Sequence, residues 1–131
     1  MNVKTDAFGK RFRELLIEKR LTLREVARRS GVDAANLSRF ERGKAYPPQK
    51  RETLEKLAKA LEISGKQKQE FFDLAALVNG MLPLGTERIR KNSAIPLLMR
   101  AIDGKQLSED QVRELAEAIE KENSWHGRVV D

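Results

Sequence analysis

Cysteine is absent from all 131 residues, so disulfide bonds, thiolate catalysis and cysteine zinc sites are excluded. Aromatic residues make up only 5% of the chain and charged residues 35%, a composition typical of a mostly helical protein. No apolar run approaches the roughly 18 residues that a membrane span needs, and nothing resembles a signal peptide. We therefore expect a cytoplasmic protein without a membrane-spanning segment.

Catalytic and metal-binding motifs are also missing. The one histidine, His126, lies near the C-terminus and has no Cys, His or acidic partner at a metal-ligand spacing. Gly80 and Gly85 lack the Lys-Ser/Thr pair that follows the glycines of a phosphate-binding loop. We therefore expect no enzymatic activity, no cofactor and no metal.

Positive charge is concentrated in the first part of the chain. Residues 1–51 contain 14 Lys+Arg and 6 Asp+Glu, a net charge of +8, whereas residues 52–131 contain the other 12 and 14, a net charge of −2. Nucleic-acid binding draws much of its affinity from neutralised phosphates and released counterions. The asymmetry therefore points to a phosphate-bearing partner for the first part.

The segment from Thr22 to Gly43 predicts two short helices joined by a tight turn. Thr22 and Glu25 have the spacing of a capping box, which begins a helix, and Gly31 suits a turn that needs positive φ. Asp33 is expected to accept hydrogen bonds from the first amides of a second helix, from about Ala34 to Glu41.

Apolar side chains in this segment predict that the two helices cross. They can meet in the angle between the helices: Val26, Ala27, Val32, Leu37 and Phe40. Two crossed helices with a glycine-containing turn form a helix-turn-helix, whose second helix fits the major groove of DNA.

Several motifs of this region carry a family resemblance: Thr22-Leu-Arg-Glu-Val-Ala, Ser30-Gly-Val, Leu37-Ser-Arg-Phe-Glu-Arg-Gly-Lys44 and Pro47. They resemble the helix-turn-helix of phage-repressor and Cro-type regulators, the XRE family, and the resemblance extends over roughly residues 8–63. It implies an all-α fold with a five-helix lambda-repressor-like DNA-binding domain, and double-stranded DNA as a partner.

Docking the second helix N-terminus first would bring Ala34, Ala35, Ser38 and Arg39 to the base edges, and the resemblance implies the same positions. Arg39 is the main candidate for reading sequence, because its guanidinium can bond O6 and N7 of one guanine. The two alanines offer only methyl contacts. Asn36 either bonds adenine or points to backbone or solvent.

Basic and polar residues around this helix suit phosphate contacts, which position a protein on DNA without reading its sequence. The candidates are Arg24, Arg28, Arg42, Lys44, Tyr46 and Lys50. For Arg24 and Arg28 a solvated helix face is an equal alternative. Glu41 is predicted to be an intramolecular ion-pair partner.

Flanking patterns predict the remaining helices. Asp6 is expected to cap a helix over 7–19 after a loose N-terminal arm, and further helices are expected over 50–61, 67–78 and 94–102, the last ended by Asp103-Gly104. Ser108 and Gln111 form a second capping box before a helix that ends near residue 123. The predicted organisation is a DNA-binding domain (1–79), a hinge (80–93), a helical dimerisation or regulatory segment (94–123) and a tail (124–131).

The last two helices are too short for an independent core, so we expect them to pair with a second copy of the chain. The expected interface residues are Ile95, Leu98, Met99, Ile102, Val112, Leu115 and Ile119. The alternative is that these helices fold back onto the first domain. A homodimer would read a palindromic operator with half-sites about 34 Å apart, or a multiple of that.

A weaker resemblance concerns regulation. The stretches FFDLAALVNGMLP, Ala94-Ile-Pro-Leu-Leu-Met-Arg100 and Leu107-Ser-Glu-Asp look like XRE-type repressors encoded beside a metallopeptidase of the ImmA/IrrE kind. This resemblance implies repression that is relieved by cleavage near the C-terminal helices. A different hypothesis is an antitoxin, whose C-terminal helices neutralise a toxin while its N-terminal domain regulates its own operon.

Overall fold

The computed structural model describes residues 3–82 and 87–121. Within these ranges every regular element is an α-helix, which confirms the expected all-α class: α1 (Val3–Lys19), α2 (Leu23–Ser30), α3 (Ala34–Glu41), α4 (Arg51–Ala60), α5 (Gly65–Val78), α6 (Glu87–Arg90), α7 (Ile95–Gly104) and α8 (Glu109–Lys121). The chain divides into two compact units, Met1–Thr86 with α1–α5 and Glu87–Asp131 with α6–α8.

The first unit has one hydrophobic core, built from all five of its helices. Helix pairs α1–α3, α2–α4, α2–α3 and α1–α5 make its most extensive contacts. At its centre the ring of Phe8 lies 5.2 Å from that of Phe71 and meets that of Phe40 edge-on at 6.3 Å, between ring centroids. This packing fixes α3 against α1, so the exposed side of α3 has a rigid support.

Among the described residues, five helices end in the same hydrogen-bonded turn, the Schellman motif, in which one residue adopts the left-handed conformation. In α1, for example, Leu21 donates to the carbonyl of Leu16 (2.9 Å) and Arg20 to that of Ile17 (3.2 Å). The left-handed residues of α1, α3, α4, α5 and α7 are Arg20, Gly43, Glu62, Gly80 and Gln106, with φ between 52° and 70°.

Some predicted helix ends were wrong. Helix α1 begins at Val3, so Asp6 lies in its first turn and does not cap it. The reason is burial: Thr5, expected in a loose arm, is fully buried and holds an additional turn against the core. Helix α7 continues through Gly104, because Gln106 supplies the left-handed turn instead.

In the second unit the predicted capping box of α8 is present. The Ser108 amide donates to Oε1 of Gln111 (2.8 Å), and the Gln111 amide donates to Oγ of Ser108 (3.2 Å). No residue of α6, α7 or α8 is buried. The predicted tail with His126 and the end of the last helix near residue 123 lie outside the described residues, as do residues 83–86 of the predicted hinge.

Across the described ranges, none of the helices has the length and apolar character needed to cross a membrane.

Candidate functional site

The turn between α2 and α3 has the geometry that its sequence predicts. The Glu25 amide donates to Oγ1 of Thr22 (3.1 Å) while the Thr22 amide donates to Oε1 of Glu25 (3.2 Å), which completes the capping box. Gly31 ends α2 with a φ of 77° and donates to the Ala27 carbonyl (2.9 Å). Both ends of α2 are therefore fixed by local hydrogen bonds, and the chain enters α3 in a defined direction.

The start of α3 differs from the prediction. Asp33 precedes α3 but its carboxylate makes no hydrogen bond to the first amides of that helix. Its backbone (φ −56°, ψ 133°) departs from the extended geometry that directs the Thr22 hydroxyl back to its helix (φ −101°, ψ 159°). The Asp33 carbonyl instead accepts the first helical bond, from the Leu37 amide at 3.0 Å.

Helix α3 separates its apolar and polar sides. Leu37 and Phe40 are buried against Val26 of α2, with Ala27 and Val32 packed at the edge of the core, as predicted. On the opposite side Ala34, Ala35, Asn36 and Arg39 are exposed and Ser38 is half-buried. The predicted base-contact residues thus lie together on the accessible side of one helix, where a partner could reach all of them.

The six predicted phosphate-contact residues are all exposed: Arg24, Arg28, Arg42, Lys44, Tyr46 and Lys50. Arg24 and Arg28 lie on α2, and the other four follow α3 directly or precede α4. Nε of Arg42 also donates to the Ser38 carbonyl at 3.4 Å, which steadies that side chain at the end of α3.

Arg29, the other arginine near the end of α2, has a structural role. It forms ion pairs with Glu25 (3.8 Å) and with Glu62 just after α4 (2.9 Å). This bridge ties α2 to the end of α4 across 33 residues of sequence. The positive charge of Arg29 is therefore balanced by two carboxylates of the same unit.

Arg13 of α1 is a residue that sequence reasoning missed. Its Nη1 atom donates to the backbone carbonyl of Glu41, the last residue of α3. The Glu41 carboxylate, predicted to form an ion pair, forms none within the described residues. The contact with Arg13 is made by the main chain of Glu41. No sequence signal marks this bond, because every residue has a backbone carbonyl.

The apolar residues of the predicted dimer interface form a stripe on each of α7 and α8. With 100° per residue, Ile95, Leu98, Met99 and Ile102 share one side of α7, and Val112, Leu115 and Ile119 share one side of α8. Leu98, Met99, Val112 and Ile119 are exposed (47%, 56%, 36% and 50%), and the other three are half-buried.

Within the described ranges, no group of three or more His, Cys, Asp or Glu side chains could hold a metal ion.

Comparison with known proteins finds similarities to the first unit. A family described as "Helix-turn-helix domain" matches residues 7–71. The chain is also 47% identical over 58 residues to the HTH-type transcriptional repressor RghR of Bacillus subtilis (strain 168). That match spans 44% of this chain and 42% of the relative, less than half of either protein. No solved structure matches the chain.

Proposed function

We propose that this chain, whose residues 7–71 match a helix-turn-helix domain family, is a sequence-specific transcriptional repressor that binds double-stranded DNA as a dimer. One observation carries the proposal: the accessible side of α3 presents Ala34, Ala35, Ser38 and Arg39 on a helix braced by the core. Repression is the activity named for the Bacillus relative. A DNA-binding repressor would act in the cytoplasm.

In this proposal α3 enters the major groove. Arg39 reads a guanine through its guanidinium, and the methyl groups of Ala34 and Ala35 contact apolar groups such as the thymine methyl. Arg42 and Lys44, at the end of α3, neutralise phosphates and so set the position of the helix in the groove. Two alanines at base-facing positions leave few direct polar base contacts, so a second copy of the motif is needed for affinity.

The second copy would come from a homodimer formed through α7 and α8. Both of these helices carry an apolar stripe, and no residue of either helix is buried. Burying apolar surface contributes about 25 cal/mol per Å². A twofold-symmetric pair would gain that energy and present two α3 helices to a palindromic operator, with half-sites spaced by about 34 Å or a multiple of that.

A competition gel-shift assay tests the DNA-binding part. The full-length protein is titrated against the DNA upstream of its own gene, with random duplex as competitor. Arg39→Ala should lose discrimination at one base pair by about 1–3 kcal/mol, whereas Arg42→Ala should weaken binding to all sequences alike. Lys66→Ala, which removes an exposed charge at the start of α5, is the matched control.

Equal losses on specific and random duplexes for Arg39→Ala would remove that residue from the base-reading set. A wild-type protein that prefers neither its upstream DNA nor any other sequence would contradict the proposed function as a whole.

We further propose that cleavage near α7 relieves repression. Leu97 lies on the side of α7 away from the apolar stripe and is 64% exposed, so a metallopeptidase could reach α7 there even in the dimer. Cleavage there would separate α8 from the DNA-binding unit and break the dimer. An intact chain after incubation with a peptidase encoded beside the gene would contradict this step. A co-purifying toxin neutralised by residues after Pro83 would instead favour the antitoxin hypothesis.

A further inference from the structure

We propose that Arg13, on α1, is a positioning residue for base reading: it holds the C-terminal end of α3 and so sets the angle of that helix in the groove. The inference rests on the proposed function. It starts from the bond between the Arg13 guanidinium and the carbonyl of Glu41, which joins residues 28 positions apart.

The carbonyls at the end of α3 show why this bond matters. A helix leaves its last carbonyls without intrahelical donors. The Arg39 carbonyl accepts from the Lys44 amide (2.8 Å) and the Phe40 carbonyl from the Gly43 amide (3.1 Å), the two bonds of a Schellman motif. That motif provides no donor for Glu41, the last helical residue, and Arg13 supplies one from another helix.

A positive side chain also suits this place electrostatically. The C-terminus of a helix carries about half a negative charge from its aligned peptide dipoles. A guanidinium that donates to a terminal carbonyl gives that oxygen a hydrogen bond and also places a positive charge at the negative end of the helix dipole. The interaction therefore holds the end of α3 toward α1 and is not merely a contact between two exposed groups.

Two neighbours of Arg13 on the same side of α1 show that this end of α3 is closely fitted. A Cβ atom added to Gly9 would lie 2.6 Å from the Glu41 carbonyl oxygen and 2.7 Å from that of Phe40. One turn earlier, Asp6 lies against Gly43, the left-handed residue of the Schellman motif. Asp6, Gly9 and Arg13, spaced three and four residues apart, thus form one stripe along the end of α3.

This fit has a consequence for DNA recognition. Arg39 lies two residues before Glu41, and its own carbonyl belongs to the same terminal turn. A bidentate Arg–guanine contact requires the guanidinium to be placed within a few tenths of an ångström and a small angle. If the end of α3 is free to tilt, Arg39 loses that alignment while phosphate contacts from flexible side chains adapt.

The competing interpretation is that Arg13 itself contacts a phosphate, since it is exposed and lies in the basic part of the chain. The two interpretations make different predictions. Loss of a phosphate contact weakens binding to all duplexes and lowers the salt dependence, whereas loss of a positioning residue lowers the preference for one sequence over another.

The test uses the full-length protein and a pool of randomised duplexes, from which the wild type selects its preferred sequence. Dissociation constants are then measured for that duplex and for duplexes with single base-pair changes. The proteins compared are wild type, Arg13→Ala, Arg13→Lys and Arg11→Ala. Arg11 is the matched control, because it lies on the same helix and pairs with Glu14 and Glu18 (3.3 Å each). Ratios of these constants do not depend on the fraction of folded protein.

We expect Arg13→Ala to reduce the preference for the selected base pair under Arg39 by roughly fivefold to tenfold, since a misaligned bidentate contact loses much of its discrimination. Arg13→Lys should restore part of the preference, because it keeps a charged donor, and Arg11→Ala should match the wild type. The salt dependence of Arg13→Ala should equal that of the wild type.

Three results would overturn the proposal. An equal loss on all duplexes with a reduced salt dependence would make Arg13 a phosphate contact. An unchanged preference with a lower unfolding temperature would make it a structural brace only. A loss of preference in Arg11→Ala equal to that in Arg13→Ala would trace the effect to charge alone. If the wild type selects no sequence, the proposed function itself fails, and the inference fails with it.

Discussion

Gly9 lies where α1 crosses the end of α3, and the contact leaves no room for a side chain. We predict that Gly9→Ala destabilises the first unit by about 1–3 kcal/mol, because the added methyl group meets two backbone carbonyls that cannot rotate away. Urea denaturation followed by circular dichroism measures the change.

Gly104→Ala is the matched control for this prediction. Gly104 lies in α7 with negative φ and open space around its Cβ position, so alanine there should stabilise its unit by about 0.4–1 kcal/mol. Opposite signs for the two substitutions would confirm that the close approach, and not the loss of a glycine, causes the effect. A neutral Gly9→Ala would contradict the close packing of α1 on α3.

Asp73 on α5 provides a prediction about pH. Burial raises the pKa of its carboxyl group, and the nearby Glu70 carboxylate raises it further. The folded state therefore binds the Asp73 proton more tightly than the unfolded state, so the ionised carboxylate opposes folding at neutral pH. We predict that Asp73→Asn raises the unfolding temperature at pH 7 and that this gain shrinks as pH falls through the raised pKa.

The measurement is a series of thermal melts between pH 7 and acid pH. The gain should vanish where Asp73 is protonated in both the folded and the unfolded state. Glu70→Gln, which removes only the second cause, should give a smaller gain. A gain for Asp73→Asn that stays constant down to the lowest pH would show that charge is not its cause.

Single residues also show which parts of the candidate site could be predicted from the sequence. The residues on the exposed side of α3 could be predicted, because their position follows from the helical period and from the buried Leu37 and Phe40. The Arg13–Glu41 bond could not be predicted, since it joins a side chain to a main-chain atom across the fold. Neither partner has a residue type or spacing that marks such a bond.

At the scale of helices, three of the five Schellman turns place a residue with a Cβ in the left-handed conformation: Arg20, Glu62 and Gln106. That conformation costs a non-glycine residue about 1–2 kcal/mol. We predict that Arg20→Gly, after α1, stabilises the first unit by about 0.5–1 kcal/mol, the relief of strain less the entropy that glycine loses on folding. Chemical denaturation of the two proteins checks it.

Lys19→Gly, one position earlier and within α1, controls for the effect of glycine itself. It should destabilise the unit by about 0.5–1 kcal/mol, because a helical position gains nothing from positive φ. Destabilisation by Arg20→Gly would mean that the side chain of Arg20 contributes more than its backbone conformation costs.

Some helix ends could be predicted from the sequence and others could not. Both capping boxes could be predicted, because the three-residue spacing of Thr22 with Glu25 and of Ser108 with Gln111 is typical of the motif. The turn at Gln106 could not be predicted, because no glycine indicates a left-handed residue at that position. The extra turn of α1 could not be predicted either, since the burial of Thr5 depends on helices far away in the sequence.

At the scale of the whole molecule, α7 offers a matched pair of substitutions for the proposed dimer. Leu98 lies on the apolar stripe with Ile102, whereas Leu97 lies on the other side of the helix, and both are exposed. We predict that Leu98→Glu converts the dimer to a monomer and that Leu97→Glu leaves it intact. Glutamate and leucine have similar helix propensities, so α7 itself should persist in both variants.

Sedimentation equilibrium over a range of concentrations measures the outcome. Dimers in both variants would place the interface elsewhere, and monomers at all concentrations for the wild type would contradict dimerisation. The sequence could predict the two amphipathic helices because their period is local. The pairing of the stripes in the proposed dimer depends on two chains, so the pattern along one chain does not specify it.

The two alanines at the start of α3 have a consequence for how this protein could change. Ala34 and Ala35 are exposed, and the core does not depend on their side chains. Replacing alanine by another ordinary residue in a helix costs at most about 0.7 kcal/mol. Longer polar side chains can therefore be introduced there, by engineering or by natural drift, with little loss of stability. Under the proposed function, the DNA sequence that the protein prefers can therefore change while its fold is kept.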